Sequence, residues 1–300
     1  MTICRPGDHI IAASDLYGGT YSQFTNMYPN MGIQTTMIDG QNMEALKGAF
    51  KENTKAVYYE TLGNPSFNVC DFEAVAAICQ EMKVPFIVDN TFGMCGYTCR
   101  PMKFGVNIVT SSCTKWIGGH GTTIGGIIVD GNNFDWSVKM ADGSPKFPNL
   151  AAPSPAYHGM NFQDVFGPTG PFGCNMAFIF HARVVALRDM GACPNPFGSF
   201  QLLMGLETLP MRCKVHCENG KYLKRRNEQC SCNYCWSYLY WCISSFIVFT
   251  VTIPFQQTQT VILTALKLIL FLFYKLFFFH YNVQQINIVK ILQPMLLLNI

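Results

Sequence analysis

From Ile10 to Val129, short runs of apolar residues alternate with stretches in which apolar positions recur every three or four residues. That alternation predicts strand, helix, strand units closing a largely parallel sheet. A strand buried on both faces reads as a continuous apolar run, while the helix covering it carries one apolar stripe. The predicted strands are Ile10–Ala13, Gln34–Ile38, Ala56–Tyr59, Pro85–Asp89, Asn107–Thr110 and Gly125–Val129. Between them Met43, Leu46 and Phe50 share one helical face, as do Val75, Ile78 and Met82. Residues 131–175, rich in Gly, Pro and Asn, read as a long irregular connection. Helical periodicity resumes over Ala177–Met190 and Phe200–Asn219. The predicted class is α/β, doubly wound.

Composition changes this picture at one place. All 25 Gly precede Lys221, and Glu228 is the sole acid after it. The net charge of +3 divides into −3 over residues 1–220 and +6 beyond. No basic face is implied for the globular part, which argues against nucleic acid as a partner. The tail, 221–300, is dominated by Phe, Leu, Ile, Tyr and Asn. Residues 260–279 are long enough to cross a bilayer, but Lys267 and Lys275 lie inside that stretch, each disfavoured by about 2.5–3.5 kcal/mol near a helix centre. The preferred reading is translated non-coding sequence, since Gly220-Lys221-Tyr222 can be encoded around a splice-donor-like GTAAGT. A genuine membrane segment, and with it a tail-anchored protein, is the alternative.

The 14 Cys are scattered, and the first eight residues contain no apolar signal-peptide core, so reduced thiols in the cytoplasm are expected. Gly7-Asp8-His9 leads straight into the first strand, which suggests a truncated start.

The candidate chemistry lies at strand ends. Lys115, in Ser112-Cys113-Thr114-Lys115-Trp116-Ile117-Gly118-Gly119-His120, follows the predicted strand Asn107–Thr110 and precedes a Gly-rich turn. The carboxyl ends of strands in an open parallel sheet are where ligands bind. A Lys there can reach a cofactor carbonyl while Ser112 and Thr114 donate to a phosphate; a solvated loop Lys is the plainer reading. Asp89 ends a buried-type strand, where an unpartnered carboxylate is costly; an N-cap for the next segment also suits it. A strand-end Lys and a strand-end acid together suit pyridoxal phosphate, which needs an amine for covalent attachment and an acid to keep its ring nitrogen protonated. His9 and His120 sit at a strand start and in a Gly-rich turn, and read as structural. Cys213, His216, Cys217, Cys230, Cys232 and Cys235 resemble a zinc cluster only superficially, so no metal is expected.

Several motifs in fixed order then carry a resemblance. These are Asp15-Leu16-Tyr17-Gly18-Gly19-Thr20, Val88-Asp89-Asn90-Thr91-Phe92, Thr114-Lys115-Trp116-Ile117-Gly118-Gly119-His120-Gly121 and Gly205-Leu206-Glu207-Thr208-Leu209. Over about residues 1–220 the chain resembles the Cys/Met-metabolism pyridoxal-phosphate family. Within it, Trp116–Gly126 and the Phe134-Asp135-Trp136 region are most similar to the O-acetylhomoserine sulfhydrylase branch.

The resemblance implies the large domain of a fold-type I transferase: a mainly parallel, seven-stranded-type sheet flanked by helices, here truncated at both ends. Residues 1–220 would form part of that domain. It implies that Lys115 forms the Schiff base and moves protons on the substrate, that Asp89 pairs with the pyridinium nitrogen, and that Tyr17 stacks on the cofactor. Gly18 and Gly19 would allow close approach beside that ring. Asn64 would bond the phenolic oxygen, although it also suits a turn before Pro65. Ser112 and Thr114 would hold the phosphate. The implied activity is γ-replacement, converting O-acetyl-L-homoserine and sulfide to L-homocysteine and acetate; a lyase acting on cystathionine or methionine is the near alternative. The implied assembly is a homo-oligomer, a tetramer in the family. The family's upstream phosphate turn and its C-terminal carboxylate-binding Arg have no counterpart in this sequence. The chain is therefore expected to turn over slowly, or to survive as an inactive fragment.

Overall fold

The computed structural model describes residues 2–228. The chain divides into two compact units, Met1–Arg225 and Arg226–Ile300, and the sheet belongs to the first. The candidate bilayer stretch 260–279 and Cys230, Cys232 and Cys235 lie outside the described residues. Among the described residues no helix is long and apolar enough to cross a membrane.

Six strands, β1 (His9–Ala13), β2 (Gln34–Ile38), β3 (Thr54–Glu60), β4 (Phe86–Asp89), β5 (Ile108–Ser112) and β6 (Gly126–Asp130), form one sheet in the order β2-β1-β3-β4-β5-β6. The first five run parallel, and β6 returns antiparallel to β5. The sheet thus has six strands among the described residues, where the resemblance implied a seven-stranded type. β1 is buried at all five positions, as its unbroken apolar run predicts for a strand covered on both faces. All six predicted strands are present. β3 starts two residues earlier than expected and β5 ends two residues later, because ladder hydrogen bonds recruit the flanking polar Thr54, Lys55, Ser111 and Ser112.

The helices begin where short polar side chains satisfy their first amides. Asn42 accepts from Ala45 N–H at 2.9 Å, Asp71 from Ala74 at 3.1 Å and Asn195 from Gly198 at 2.7 Å. These caps open Met43–Ala49, Phe72–Glu81 and Pro196–Glu207. Helical structure over Gly18–Asn30 was not legible in the sequence, where two Gly and Pro29 argue against it. Tertiary packing overrides that propensity: Phe24 is buried edge-on against Tyr28 and Tyr58. The single helix expected over Phe200–Asn219 is two, Pro196–Glu207 and Leu209–Glu228, parted at Thr208. Pro210, lacking an N–H, fits the first turn of the second helix and cannot continue the first.

One apolar core lies around β1, β3 and β4, with Ile11, Val57, Phe86, Leu46 and Val75 at its centre. A second is built largely from the 131–175 connection, whose Phe134, Trp136, Phe147, Leu150 and Phe162 pack against Phe178. Trp136 stacks on Phe178 at 5.3 Å. Expected to be irregular throughout, this connection holds three short helical pieces, Pro148–Ala151, Pro155–Tyr157 and Phe162–Phe166, and it supplies most of that second, aromatic core.

Candidate active site

Every residue singled out for cofactor chemistry lies on a segment leaving the carboxyl end of β1, β3, β4 or β5, or on the last residue of those strands. The chain turns one way from β1 to β2 and crosses back to β3, so the switch point, where open sheets form their ligand crevice, lies between the ends of β1 and β3. Tyr17 and Glu60 meet there: the Tyr17 N–H donates to Glu60 Oε1 at 2.7 Å. The Tyr17 ring is 50% exposed and folds back over Gly19, where a Cβ would come within 2.6 Å of the ring. A Cβ at Gly18 would meet nothing. Only the second glycine of the pair is therefore needed for close approach.

Glu60 was not anticipated. It is 7% exposed, pairs in register with Asp89 on β4, and burial pushes its carboxyl up to about 8, with Asp89 and Asp15 adding in the same direction against the Tyr17 amide. Burial also raises Asp89, while bonds from Thr91 and the Tyr58 hydroxyl pull it back. Thr91 donates both its amide, at 2.8 Å, and its hydroxyl, at 2.5 Å, to Asp89 Oδ1. The Asp89 carboxyl thus organises a tight turn, and the segment that follows is not an α-helix, so the N-cap alternative applies only to this turn. The same Thr91 oxygen accepts the Ser112 N–H at 2.8 Å, tying the end of β4 to the start of the Lys115 segment.

Cys113–Ile117 forms a single wide turn in which Lys115, at φ −87° and ψ −105°, departs from helical geometry. The Lys115 side chain is half-buried and makes no ion pair or hydrogen bond among the described residues. The Ser112 hydroxyl likewise has no partner there. Thr114 is buried and its hydroxyl is engaged with the backbone of Gly125, accepting the N–H at 3.0 Å. Asn64 lies in the turn that follows β3. Asp15 holds that turn by accepting from the Ser66 amide at 3.3 Å and hydroxyl at 2.9 Å. Asp15, like Thr91, was legible only as part of a motif.

Both histidines read as structural have structural partners. His9 is fully buried between Thr54 and Thr36, at 2.9 and 2.8 Å, and burial pushes its pKa down to about 4. His120 Nδ1 contacts its own loop at Gly118 O, 2.8 Å away. Among the described residues no group of His, Cys, Asp and Glu could hold a metal ion, and His216 packs edge-on against Trp116. A cavity of about 290 Å³ lies elsewhere, lined by Arg5, Asn149, Ser154, His181 and Asp189, and contains none of the candidate residues.

A doubly wound sheet presenting a lysine and an acid from adjacent strand ends is an arrangement that suits pyridoxal phosphate. The profile of the Cys/Met metabolism PLP-dependent enzymes matches residues 1–232, and the chain belongs to that family. It is 48% identical over 227 residues to a homocysteine/cysteine synthase of Saccharomyces cerevisiae, covering 76% of this chain and 49% of that protein. An O-acetyl-L-homoserine sulfhydrylase of Leptospira meyeri is 44% identical over 221 residues, covering 73% and 48%. Among solved structures, an O-acetylhomoserine (thiol)-lyase from Campylobacter jejuni, carrying a pyridoxyl-lysine phosphate, superposes with a TM-score of 0.62 at 28% identity. That match covers 74% of this chain and 52% of the other. The chain spans about half the length of the curated relatives it matches.

Proposed function

We propose that the protein catalyses γ-replacement on O-acetyl-L-homoserine, with sulfide as the incoming nucleophile and L-homocysteine and acetate as products. The observation that carries this reading is the link from Asp89 through Thr91 to Ser112, which holds a half-buried acid beside the Lys115 segment on a scaffold shared with sulfhydrylases. The donor set fits pyridoxal phosphate. An amine without an ion pair among the described residues, a half-buried carboxyl held by Thr91 at Oδ1, and a half-exposed ring match its aldehyde, ring nitrogen and face in turn.

When bound, pyridoxal phosphate supplies an electron sink for bonds at the substrate's α-carbon. Lys115 Nζ would be its covalent anchor, and the same amine, when free, would move protons at the substrate's α- and β-carbons, allowing the γ-acetoxy group to leave as acetate and sulfide to add. Asp89 would keep a proton on the ring nitrogen. Tyr17 would lay its exposed ring on the cofactor ring, and Asn64 would donate to the phenolic oxygen. Ser112 offers its hydroxyl to the phosphate. Thr114 joins it by turning the hydroxyl that now faces Gly125. The reaction runs in the cytoplasm, in a homo-oligomer of this chain.

The test has two stages. Borohydride reduction of the full chain with pyridoxal phosphate, followed by peptide mass spectrometry, is expected to place the label on Lys115. Release of homocysteine from O-acetylhomoserine and sulfide is expected, whereas an α-keto acid product would support a lyase. Folded protein that leaves Lys115 unlabelled overturns the proposal.

A further inference from the structure

We infer that Arg212 is the positioning residue for the Lys115 segment, a role that rests on Lys115 being the cofactor anchor. The wide turn carrying Lys115 stops at Gly118, so the carbonyls of Trp116 and Ile117 have no following helical turn to bond them. Arg212, 96 and 95 residues further on, reaches both through Nη2, at 2.9 Å and 3.3 Å. The same nitrogen reaches Gly205 O at 2.8 Å, and Nε donates to Thr208 Oγ1 at 3.0 Å. One guanidinium therefore joins the Lys115 turn to the junction of the helices Pro196–Glu207 and Leu209–Glu228.

The surrounding sequence is shaped to this contact. A Cβ at Gly205 would lie 2.2 Å from Gly118 O, so only glycine lets the helix approach the turn. Gly119, at φ +74°, lies where a Cβ would come within 2.8 Å of the guanidinium carbon. Four residues along the same helix, His216 packs edge-on against the Trp116 ring at 4.8 Å. The residue next to Lys115 is thus held by its carbonyl and by its side chain. Among the described residues Arg212 has no carboxylate partner, and its donors go to neutral oxygens of the turn. The planar fork sets Nη2 among the three carbonyls while Nε keeps Thr208; a lysine ammonium offers one nitrogen, which could meet the carbonyls but not Thr208 as well.

The clamp limits where Lys115 can place its amine, and such pre-organisation is needed for a covalent anchor to meet its aldehyde. The full chain and its R212M and R212K variants would be compared in two measurements. Amide hydrogen exchange over residues 113–121, without cofactor, is expected to accelerate in R212M and to recover partly in R212K. Pyridoxal-phosphate titration, read by absorbance and visible circular dichroism of the lysine-bound cofactor, is expected to show affinity weakened by about tenfold in R212M, since several hydrogen bonds are lost. An R212M protein that melts like the parent with unchanged exchange and affinity overturns the clamp. Should R212M not fold, T208V, which removes one acceptor, decides: about threefold weaker affinity supports it and no change overturns it. If the parent chain itself takes up no cofactor, the anchor reading fails, and the exchange comparison still tests the clamp.

Discussion

The Thr91 hydroxyl lies 2.5 Å from Asp89 Oδ1, and the bond it donates there fixes an acid that burial would otherwise leave without enough compensation. Its oxygen also accepts the Ser112 amide, so one small side chain joins two strand ends. Replacing Thr91 by Val keeps the shape and removes the bonds its oxygen makes. The expected result is a loss of about 1–2 kcal/mol in urea unfolding and cofactor affinity weaker by about tenfold, read by absorbance titration.

Glu60 gives a pH signature of its own. Its carboxyl is raised from 4.5 to about 8 in the folded protein, so the native state binds the extra proton between those values. The stability it contributes is complete below about 4.5 and is lost as pH rises through 8. In E60Q that loss disappears. The difference in urea midpoint between E60Q and the parent should therefore move in the variant's favour from pH 5 to pH 8, and a difference independent of pH would contradict the assignment.

His9 works in the opposite sense. Its pKa falls from 6.5 to about 4 on folding, so the unfolded chain binds more protons in that interval. Its contribution is complete above about 6.5 and declines as pH falls toward 4, with a slope of at most about 1.4 kcal/mol per pH unit. Urea unfolding of the parent and of H9Q between pH 7.5 and pH 4.5 should show the steeper decline in the parent.

Trp136 tests whether the 131–175 connection stabilises without touching the site. It is fully buried among Phe134, Phe147 and Phe178. Trp136→Ala should cost about 3–5 kcal/mol in unfolding free energy. The fraction that remains folded should bind pyridoxal phosphate with the parent's affinity, measured by titration below the unfolding transition.

Much of the fold was legible because each strand announces itself locally. Ile10-Ile11-Ala12-Ala13 is a continuous apolar run buried on both faces, and Phe86-Ile87-Val88 is one with Phe86 and Val88 buried and Ile87 half-buried. Lys115 and Asp89 stood out for the same reason, as polar residues placed where such runs end. The helical turns of Gly18–Asn30 went unread because Gly and Pro speak against them, while the packing of Phe24 on Tyr58 lies 34 positions away in the chain.

The order of strands, the switch between β1 and β3, and the identity of the residues supporting the site were decided only in three dimensions. Tyr17 and Glu60 are separated by 43 residues, Thr91 and Ser112 by 21, Trp116 and Arg212 by 96. A local pattern reports the free energy of putting a side chain inside or outside. It carries no information on which buried donor finds which distant acceptor, because that choice is made by strand register and helix placement once the chain has closed on itself.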